Sequence, residues 1–488
     1  MADHKLKTRS GEMGRVQAIH FVGVGGAGMS GIAEVLLNQG YLISGSDLKA
    51  SAVTDRLAKL GAQVFIGHDA AHIQSCDVVV TSSAVSETNP EVRAAKDARI
   101  PVVRRAEMLG ELMRYRFGIA IAGTHGKTTT TSIVASLFAA AEKDPTFIIG
   151  GLLKGVQSNA RLGSGRYLIA EADESDASFI HLQPMITVLT NVDRDHLVNY
   201  EGSFSKLREA FHGFIHNLPF YGLLIACLDD PIVASMLPSV TRPVLTYGFS
   251  ENADVQARNW QQVGTLSNFD VWAPRYEADF RVQLAMPGRH NVLNALAAIA
   301  VGLDQELDQG AMQRGTAEFS GVGRRFEVLG QCSIQGISFL LVDDYGHHPN
   351  EVRATVEAAR ASWPGSRLLM VYQPHRYSRT SELFDQFVEV LKTVDVLFLT
   401  EVYAAGESPI PGATGEDLYR QLKLEMGDRV HWLEHMDLVQ DHIADVLLDG
   451  DVLLTQGAGE TAALAARLFN QWQSPSQQGQ TAQQRGGR

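Results

Sequence analysis

The sequence predicts an α/β protein of three domains, and three observations carry this prediction. Apolar runs of strand length alternate with segments of helical period along most of the chain, which favours parallel sheets joined by helices. Two glycine-rich turns, one beginning at Gly23 and one at Gly123, each follow such a strand and open a helix. The chain has 488 residues, and at about 150 residues per domain this length suggests three domains. The predicted boundaries are 1–107, 108–325 and 326–472, followed by a disordered tail over 473–488 that is rich in Gln, Gly and Ser.

The composition is that of an acidic globular protein. Hydrophobic residues make up 45% of the chain, charged residues make up 20%, and the formal net charge is −13. Nucleic acid is not an expected partner, because a phosphate backbone needs a basic face. Membrane insertion is not expected either, since no apolar run is long enough to span a bilayer. Three widely separated cysteines match no zinc pattern and no disulfide framework, which favours a cytoplasmic location.

In the first domain, strands and helices alternate in a βαβ rhythm that is typical of a parallel, doubly wound sheet. Its clearest predicted elements are a strand, a helix and two further strands: Val16–Val22, Ile32–Leu37, Tyr41–Gly45 and Asp77–Thr81. The turn Gly23-Val-Gly-Gly-Ala-Gly28 satisfies G-x-G-x-x-G, and Asp47 ends the second strand about 20 residues on, where a Rossmann-like domain places its ribose partner. By itself this motif predicts a binding site for NAD. The same geometry also holds any other pyrophosphate, such as that of a UDP-sugar, or forms a tight turn without a ligand.

The second domain opens with a phosphate-binding loop, AGTHGKTTTTS, placed between an apolar strand and a helix. Gly123 and Gly126 let the backbone approach phosphate oxygens, and the positive end of the helix dipole faces the same point. Lys127 can reach the outer phosphates of a nucleotide, and Thr128 can offer its hydroxyl to a magnesium ion. We therefore expect a central domain like that of P-loop ATPases, with ATP as its nucleotide.

The spacing of this loop departs from the usual pattern. It is G-x-x-G-K-T, whereas the common form G-x-x-x-x-G-K-[ST] would need glycine where Ile121 stands. The alternative is a Gly/Thr-rich turn that carries a lysine by chance. The strand before the loop and the helix after it favour the phosphate-binding interpretation.

Polar residues follow two further strands of the second domain. Glu171 and His196 each come after an apolar strand, and in open α/β sheets the carboxyl ends of strands face the ligand. A carboxylate there can hold magnesium beside the phosphates, whereas a structural imidazole is the alternative for the histidine. Asp173, Glu174 and Asp176 could form a solvated turn.

His290 and Asn294 share one face of a predicted helix and could contact a base edge, or could be a capping histidine and a buried asparagine.

The third domain is predicted from four more strands: Phe339–Val342, Leu368–Val371, Val396–Leu399 and Val452–Thr455. Two charged loops, DDYGHHP and QPHRYSR, follow successive strands and suggest a second crevice in another Rossmann-like α/β domain. Arg376 and Arg379 could clamp a carboxylate or phosphate bidentately, and so could Arg324 and Arg325 at the domain junction. The alternative for any one of these arginines is surface charge.

Five of these motifs together resemble the Mur ligases, the ATP-dependent amide-forming enzymes of bacterial peptidoglycan synthesis. They are AGTHGKTTTTS, EADESDASF, NVDRDH, GRHNVLNALAA and DDYGHHP, in the family's order, and the loop spacing is itself the family's form. The resemblance implies a ligase that activates the carboxylate of UDP-N-acetylmuramate as an acyl phosphate and joins it to L-alanine, giving ADP and phosphate. It further implies ATP and Mg2+ as cofactors, small-molecule substrates, and a monomer or weak homo-oligomer.

The resemblance also implies a role for each group of residues. The ATP phosphates would be held by Gly123, Thr124, His125, Gly126, Lys127, Thr128 and Thr129. Magnesium would be bound by Thr128, Glu171 and His196, the adenine by His290 and Asn294, and a further cofactor contact would come from Arg324. The sugar nucleotide would be bound by Gly25, Gly26, Ala27, Gly28, Met29, Ser30, Asp47, Ser82, Ser83, Arg105 and Ser175. Tyr345 and His347 would lie near the amino acid, and the catalytic groups would be Lys127, His347, Arg376 and Arg379, with His347 or His348 as candidate base.

Three other functions are compatible with parts of the sequence. An NAD-dependent dehydrogenase would use the first glycine turn but would leave the second unexplained. A non-enzymatic ATP-binding regulator would leave the acidic residues and the third domain without a purpose. A ligase of the same family could add a preformed tripeptide to UDP-N-acetylmuramate instead of L-alanine. The Ser-Asp in EADESD and the Tyr-Gly in DDYGHHP favour the alanine enzyme, by resemblance to the family.

Overall fold

The computed structural model describes residues 13–82, 84–155, 158–175 and 177–473. The predictions for Ser83, for Asp176 and for the tail from 474 onward therefore lie outside the described residues. The chain divides into two compact units. One comprises the chain up to 258 with 270–282 and 293–320, and the other comprises 259–269, 283–292 and the chain from 321 onward.

The first sheet has five parallel strands in the order β3-β2-β1-β4-β5. Its strands are β1 Ala18–Val22, β2 Leu42–Asp47, β3 Gln63–Ile66, β4 Val78–Thr81 and β5 Val102–Arg104. Its helices are α1 Ala27–Asn38, α2 Ala52–Leu60, α3 Pro90–Asp97 and α4 Arg105–Arg114. Because all five strands run the same way, their carboxyl ends share one edge, and the glycine turn between β1 and α1 lies at the centre of that edge.

The second sheet has ten strands in the order β15-β14-β13-β12-β11-β10-β6-β9-β7-β8. Its first seven strands along the chain are β6 Phe117–Ala122, β7 Thr146–Leu153, β8 Ser158–Arg161, β9 Tyr167–Glu171, β10 Ile186–Leu189, β11 Leu223–Cys227 and β12 Val244–Gly248. Three more follow: β13 Val255–Val263, β14 Leu266–Ala273 and β15 Ala278–Leu284. The helices are α5 Lys127–Ala140, α6 Phe204–His216, α7 Pro231–Met236, α8 Arg289–Asp304 and α9 Gln309–Ala317.

The third sheet has six strands in the order β16-β17-β21-β18-β19-β20, parallel except for the antiparallel edge strand β16. They are β16 Glu327–Ile334, β17 Ile337–Asp344, β18 Leu368–Tyr372, β19 Val396–Thr400, β20 Val430–Leu433 and β21 Asp451–Gln456. The helices are α10 Pro349–Ser362, α11 Tyr377–Glu382, α12 Phe384–Leu391, α13 Gly415–Met426, α14 Val439–Val446 and α15 Thr461–Trp472.

Central strands such as β6 and β18 are buried on both faces, which explains why each is a continuous apolar run in the sequence. The predicted α/β fold with three domains is confirmed. The described helices include none that is both long and apolar enough to cross a membrane.

Candidate nucleotide and substrate sites

The loop between β6 and α5 has the shape of a phosphate cradle. Gly123 has φ of +126° and Gly126 has φ of +82°, in the left-handed region that favours glycine. A Cβ on Gly126 would lie 2.5 Å from Asn294 Oδ1, and one on Gly123 would overlap Thr190 Oγ1. Both positions therefore require glycine. The loop ends at the N-terminus of α5, where free backbone N–H groups and the helix dipole favour a polyanion.

A second segment holds this loop in place. Thr124 N–H donates to the carbonyl of Asn191 at 3.1 Å, and His125 N–H donates to Asn191 Oδ1 at 2.8 Å. Thr190 Oγ1 donates to the carbonyl of His125 at 2.7 Å, and Asp193 N–H donates to Thr124 Oγ1 at 2.9 Å. The segment that follows β10 thus fixes the backbone of the loop, in addition to carrying the predicted ligand His196.

Lys127 forms a buried ion pair with Glu174, an acidic residue for which a solvated turn was the alternative. Its Nζ donates to both carboxylate oxygens of Glu174, at 3.0 and 2.8 Å, and to the carbonyls of Gly123 and Thr124, at 2.6 and 3.0 Å. Glu174 is 1% exposed, so the alternative of a solvated turn does not hold at this position. Burial acts to lower the pKa of Lys127, but the carboxylates of Glu174 and Asp173 outweigh it and raise the pKa.

Thr128 and Glu171 come together as a pair of oxygen ligands. Thr128 Oγ1 donates to Glu171 Oε2 at 3.2 Å, and Gly150 N–H donates to Glu171 Oε1 at 2.6 Å. Burial raises the pKa of Glu171. A hydroxyl and a carboxylate are hard oxygen donors of the kind that Mg2+ prefers, so these two residues fit that ion. His196, the third predicted ligand, follows β10, where its Nε2 is 3.5 Å from Asp195 Oδ2.

The other predicted nucleotide residues have defined surroundings. Thr129 is buried in the first turn of α5. Asn294 on α8 accepts a hydrogen bond from Thr130 Oγ1 at 3.2 Å through its Oδ1. It therefore lies against the phosphate loop. On the same helix, burial lowers the pKa of His290 to about 4, so its imidazole is neutral at pH 7 and can both donate to and accept from a base edge.

Most residues predicted to bind the sugar nucleotide line one cleft of about 710 Å³ at the carboxyl edge of the first sheet. We call it the sugar-nucleotide cleft. The predicted residues that line it are Gly26, Gly28, Met29, Asp47, Ser82, Arg105 and Ser175. Ala27 is the first residue of α1. Ser30 is buried on α1 instead of lining the cleft, and its hydroxyl accepts a hydrogen bond from Asn159 Nδ2 at 3.2 Å.

Two close approaches shape the floor of this cleft. Asp47 Oδ2 accepts a hydrogen bond of 2.8 Å from Gly25 N–H, so the carboxylate that ends β2 is tied to the glycine turn after β1. A Cβ on Gly28 would overlap the guanidinium of Arg105. The glycine turn therefore leaves room for an arginine that follows the edge strand β5, and the cleft contains a positive charge beside backbone N–H groups.

The segment Glu171–Ser175 touches both the cleft and the phosphate loop. Arg105 Nη2 lies 3.3 Å from Asp173 Oδ2, and Ser175 N–H donates to Asp173 Oδ1 at 3.0 Å. Burial acts to raise the pKa of Asp173, but Lys127 and Arg105 outweigh it and lower the pKa. A single short segment therefore connects the arginine of the cleft with the lysine of the loop.

The carboxyl ends of β17 and β18 carry a cluster of rings and cations. The ring of His347 lies 5.3 Å from that of Tyr345 and 5.4 Å from that of His375. Arg379 is 5% exposed and donates from Nη1 to the carbonyl of His375 at 3.1 Å. Arg376 has φ of +71°, and its buried Nε makes no hydrogen bond to any described residue. These groups could bind an anionic ligand, as predicted for the third domain.

Arg324 is engaged by protein groups at the start of this domain. Its Nε donates to Asp343 Oδ2 at 3.0 Å, and its Nη2 donates to the carbonyl of Gly457 at 2.6 Å and to Thr461 Oγ1 at 3.0 Å. Its guanidinium also lies 5.1 Å from the centre of the Tyr345 ring. The predicted contact of Arg324 with the cofactor stays a prediction.

Three models of one family match the chain, in order. The Mur ligase family, catalytic domain, matches residues 18–117, the Mur ligase middle domain matches 121–302, and the Mur ligase, glutamate ligase domain, matches 324–459. The chain belongs to the Mur ligase family. The family resemblance of the five motifs is therefore confirmed, and this Mur ligase is an ATP-dependent ligase by family.

Solved structures of other Mur ligases are similar to this chain, two of them over more than nine-tenths of its length. The UDP-N-acetylmuramate-alanine ligase MurC from Thermotoga maritima is 28% identical with a TM-score of 0.79, and the match covers 94% of this chain and 99% of that chain. A murein peptide ligase from Psychrobacter arcticus is 24% identical with a TM-score of 0.69, covering 93% and 98%, a likeness that shows the fold. The UDP-N-acetylmuramate:L-alanyl-gamma-D-glutamyl-meso-diaminopimelate ligase from Neisseria meningitides is 28% identical with a TM-score of 0.58, covering 63% and 100%.

Sequence reasoning missed several residues that shape the sites of this Mur ligase. Glu174 pairs with Lys127, Asn191 holds the phosphate loop, and His375 joins His347 to Arg379. Each belongs to a motif that the sequence singled out, namely EADESD, NVDRDH and QPHRYSR. The motifs were thus the available signal, but the partner of each side chain is set by strands that are distant in sequence.

Proposed function

We propose that this Mur ligase joins L-alanine to the carboxylate of UDP-N-acetylmuramate, with ATP and Mg2+, through an acyl phosphate. ADP and phosphate would be the other products, and we assign the activity to the cytoplasm. One observation carries the proposal: the segment Glu171–Ser175 contacts Arg105 of the sugar-nucleotide cleft and Lys127 of the phosphate loop. An acid bound beside Arg105 would then lie close to a triphosphate bound beside Lys127.

The chemistry requires activation because a carboxylate is a poor electrophile. Phosphoryl transfer depends mainly on positioning and on neutralising charge, so the N–H groups at the start of α5 and Lys127 would orient the terminal phosphate toward the acceptor. Magnesium, held by Thr128 and Glu171 with His196 as a further proposed ligand, would neutralise phosphate charge. His290 and Asn294 would orient the base and the start of the triphosphate.

The second half-reaction needs the neutral amine of the amino acid. We assign the amino acid to the cluster of Tyr345, His347, Arg376 and Arg379, where the two arginines would bind its carboxylate and hold the acyl phosphate. His347 would accept the proton of the attacking amine. Its Nδ1 lies 3.2 Å from the carbonyl of Tyr345, which orients the ring.

The alternative substrate is a preformed tripeptide. The Neisseria meningitides ligase, named for such a substrate, is as similar in identity as the alanine ligase from Thermotoga maritima, at 28% in both cases. The alanine ligase is favoured by its higher TM-score, 0.79 against 0.58. The Ser-Asp of EADESD and the Tyr-Gly of DDYGHHP also favour the alanine ligase, by resemblance to the family.

The test measures phosphate release from ATP with UDP-N-acetylmuramate and, in turn, L-alanine, glycine, L-serine and the tripeptide, with the product identified by mass. We expect release that requires both co-substrates and is fastest with L-alanine. Lys127→Ala should lower the rate by about 10²–10³-fold or more, the range for a lost electrostatic contact to the reacting group. Lys206→Ala, at an exposed lysine paired with Glu201, is the matched control and should leave the rate unchanged. Faster ligation of the tripeptide would replace the proposed substrate, and binding of NAD without ligation would refute the ligase.

A further inference from the structure

A fully buried carboxylate lies behind the sugar-nucleotide cleft. Glu91, in the first turn of α3, has no exposed surface. Its Oε2 accepts a hydrogen bond from Ser46 Oγ at 2.6 Å and lies 3.0 Å from His68 Nδ1, and its Oε1 lies 2.7 Å from His72 Nδ1. Burial acts to raise the pKa of Glu91, but the His20 ring, whose Nε2 is 3.6 Å from Oε1, and the hydrogen bonds from Ser46 and His72 outweigh it and lower the pKa to about 2. The group is therefore an ionised acceptor at neutral pH.

Among the residues of this cluster, His68 is the one that lines the sugar-nucleotide cleft. Its side chain is 16% exposed, whereas Glu91 is fully buried. A carboxylate only accepts hydrogen bonds, so the ring nitrogen that faces Glu91 and Ser46 carries the hydrogen. Because Nδ1 is turned inward, the opposite edge of the imidazole, which carries Nε2, is the edge available to the cleft.

The strand order places His68 at a definite end of the cleft. β3 and β5 are the two edge strands of the first sheet, and His68 follows β3 while Arg105 follows β5. Arg105 contacts the segment next to the phosphate loop, so the reacting acid of the sugar belongs at that end. The nucleoside then belongs at the other end, beside His68 and beside Asp47, the expected partner of ribose hydroxyls.

We propose that Glu91 is a positioning residue that fixes the imidazole of His68 so that its Nε2 accepts a hydrogen bond from the uridine part of the sugar nucleotide. This inference rests on the proposed function for the class of substrate. Without the carboxylate, the ring loses the partner that sets its tautomer and orientation. Ser46 and His72 engage the two carboxylate oxygens from other directions, which keeps Glu91 in place beneath His68.

The test is a double-mutant cycle read by calorimetric titration with UDP. His68→Ala and Glu91→Gln should each raise the dissociation constant about three- to tenfold, the effect of one lost hydrogen bond. The double variant should bind UDP no more weakly than His68→Ala alone. In the full reaction, both variants should raise KM for UDP-N-acetylmuramate and leave kcat and KM for ATP unchanged. A general loss of structure would instead change the affinity for UDP, kcat and both KM values together.

Glu87→Gln is the matched control, because it makes the same substitution in the chain just before α3 at an exposed side chain paired with Lys96. It should bind UDP like the wild type. If Glu91→Gln does not fold, ¹⁵N NMR of the histidine rings in the wild-type protein provides a second measurement and should show His68 as the Nδ1–H tautomer. Wild-type affinity in His68→Ala, additive losses in the double variant, or an Nε2–H tautomer would overturn the inference while leaving the ligase intact. Failure of the wild-type protein to bind UDP would instead overturn the proposed substrate class, and this inference with it.

Discussion

Lys127 and Glu174 form an ion pair in which both side chains are largely removed from water, with exposed fractions of 14% and 1%. A buried charge is costly unless it is paired, so each group stabilises the other. The phosphates of ATP would offer Lys127 a second partner of the same sign as Glu174. Glu174 therefore keeps Lys127 charged and in place, and Glu174 competes with the nucleotide for Lys127.

Glu174→Gln should destabilise the nucleotide-free protein. Removing one partner of a buried ion pair costs about 3–5 kcal/mol, because the other charge is left uncompensated. ATP with Mg2+ should restore more stability to the variant than to the wild type, since the phosphates pair with Lys127. Urea denaturation with and without nucleotide measures both effects. Glu201→Gln, which removes the exposed partner of Lys206, is the control and should change stability by less than about 0.5 kcal/mol. Equal stability of Glu174→Gln and wild type would contradict the pairing.

Glu91 predicts a pH dependence whose sign follows from its lowered pKa. Its pKa is about 2 in the folded protein against an ordinary value of 4.5. The folded state therefore holds fewer protons on this group than the unfolded state, and the stabilisation is present above pH 4.5 and is lost as the pH falls toward 2. The shift corresponds to roughly 3 kcal/mol. Glu91→Gln should thus be less stable than wild type at pH 7, and the gap should narrow below about pH 4. A gap that is constant with pH in urea denaturation would contradict the shift.

At the scale of the element, the phosphate loop is a backbone structure held by its neighbours. Residues after β10 fix its carbonyl and N–H groups, and Asn294 closes it from α8. Each of the two glycines is required for two reasons: its φ is positive, and there is no space for a Cβ. The ability to bind phosphate therefore depends on the loop, on the strand beside it and on a distant helix.

Gly126→Ala tests whether the shape of this loop matters beyond backbone strain. Alanine in the left-handed region costs about 1–2 kcal/mol, and here its Cβ would also meet Asn294. Gly61→Ala is the matched control, because Gly61 also has positive φ, at +109°, but has open space around its Cβ. Both variants should lose stability, whereas only Gly126→Ala should lose affinity for ATP, by tenfold or more, in nucleotide titrations. Equal ATP affinity in the two variants would show that the loop does not form the site.

The sequence was a good guide to central elements and a poor one to edges. Strands such as β6 and β18 are apolar because both of their faces are buried, and the sequence predicted them. The edge strands β3 and β16 expose part of each face, and their apolar runs are no longer than three residues, so the sequence pattern did not predict them. In the site, the glycines and Lys127 could be predicted because their spacing is local. The burial of Glu174 could not, because it depends on how β6 and β9 pair.

At the scale of the whole molecule, apolar residues form separate cores. Leu168 is fully buried in a cluster drawn from the first two sheets, and Leu397 is fully buried in one drawn from the third. Chains with separate cores commonly unfold in more than one step. The phosphate loop and the sugar-nucleotide cleft both belong to the first of the two compact units.

Calorimetry should therefore resolve a nucleotide-sensitive transition from a second one. ATP with Mg2+ at about 100 times its dissociation constant should stabilise the first unit, which contains the phosphate loop, by about 2.7 kcal/mol. Leu168→Ala should lower the nucleotide-sensitive transition and Leu397→Ala the other, each by about 2–5 kcal/mol. The two variants are matched in residue type and burial. A single transition that both variants lower equally would contradict separate unfolding.

Isotopic labelling is the most direct test of the transfer of the terminal phosphate of ATP to the sugar acid. UDP-N-acetylmuramate labelled with ¹⁸O in its carboxylate would be incubated with the protein, ATP, Mg2+ and L-alanine, and the released phosphate analysed by mass. In the acyl phosphate, one carboxylate oxygen is bonded to phosphorus. When the amine attacks the acyl carbon, phosphate leaves with this oxygen, so each released phosphate should carry one ¹⁸O. Unlabelled phosphate released at the rate of product formation would contradict the account.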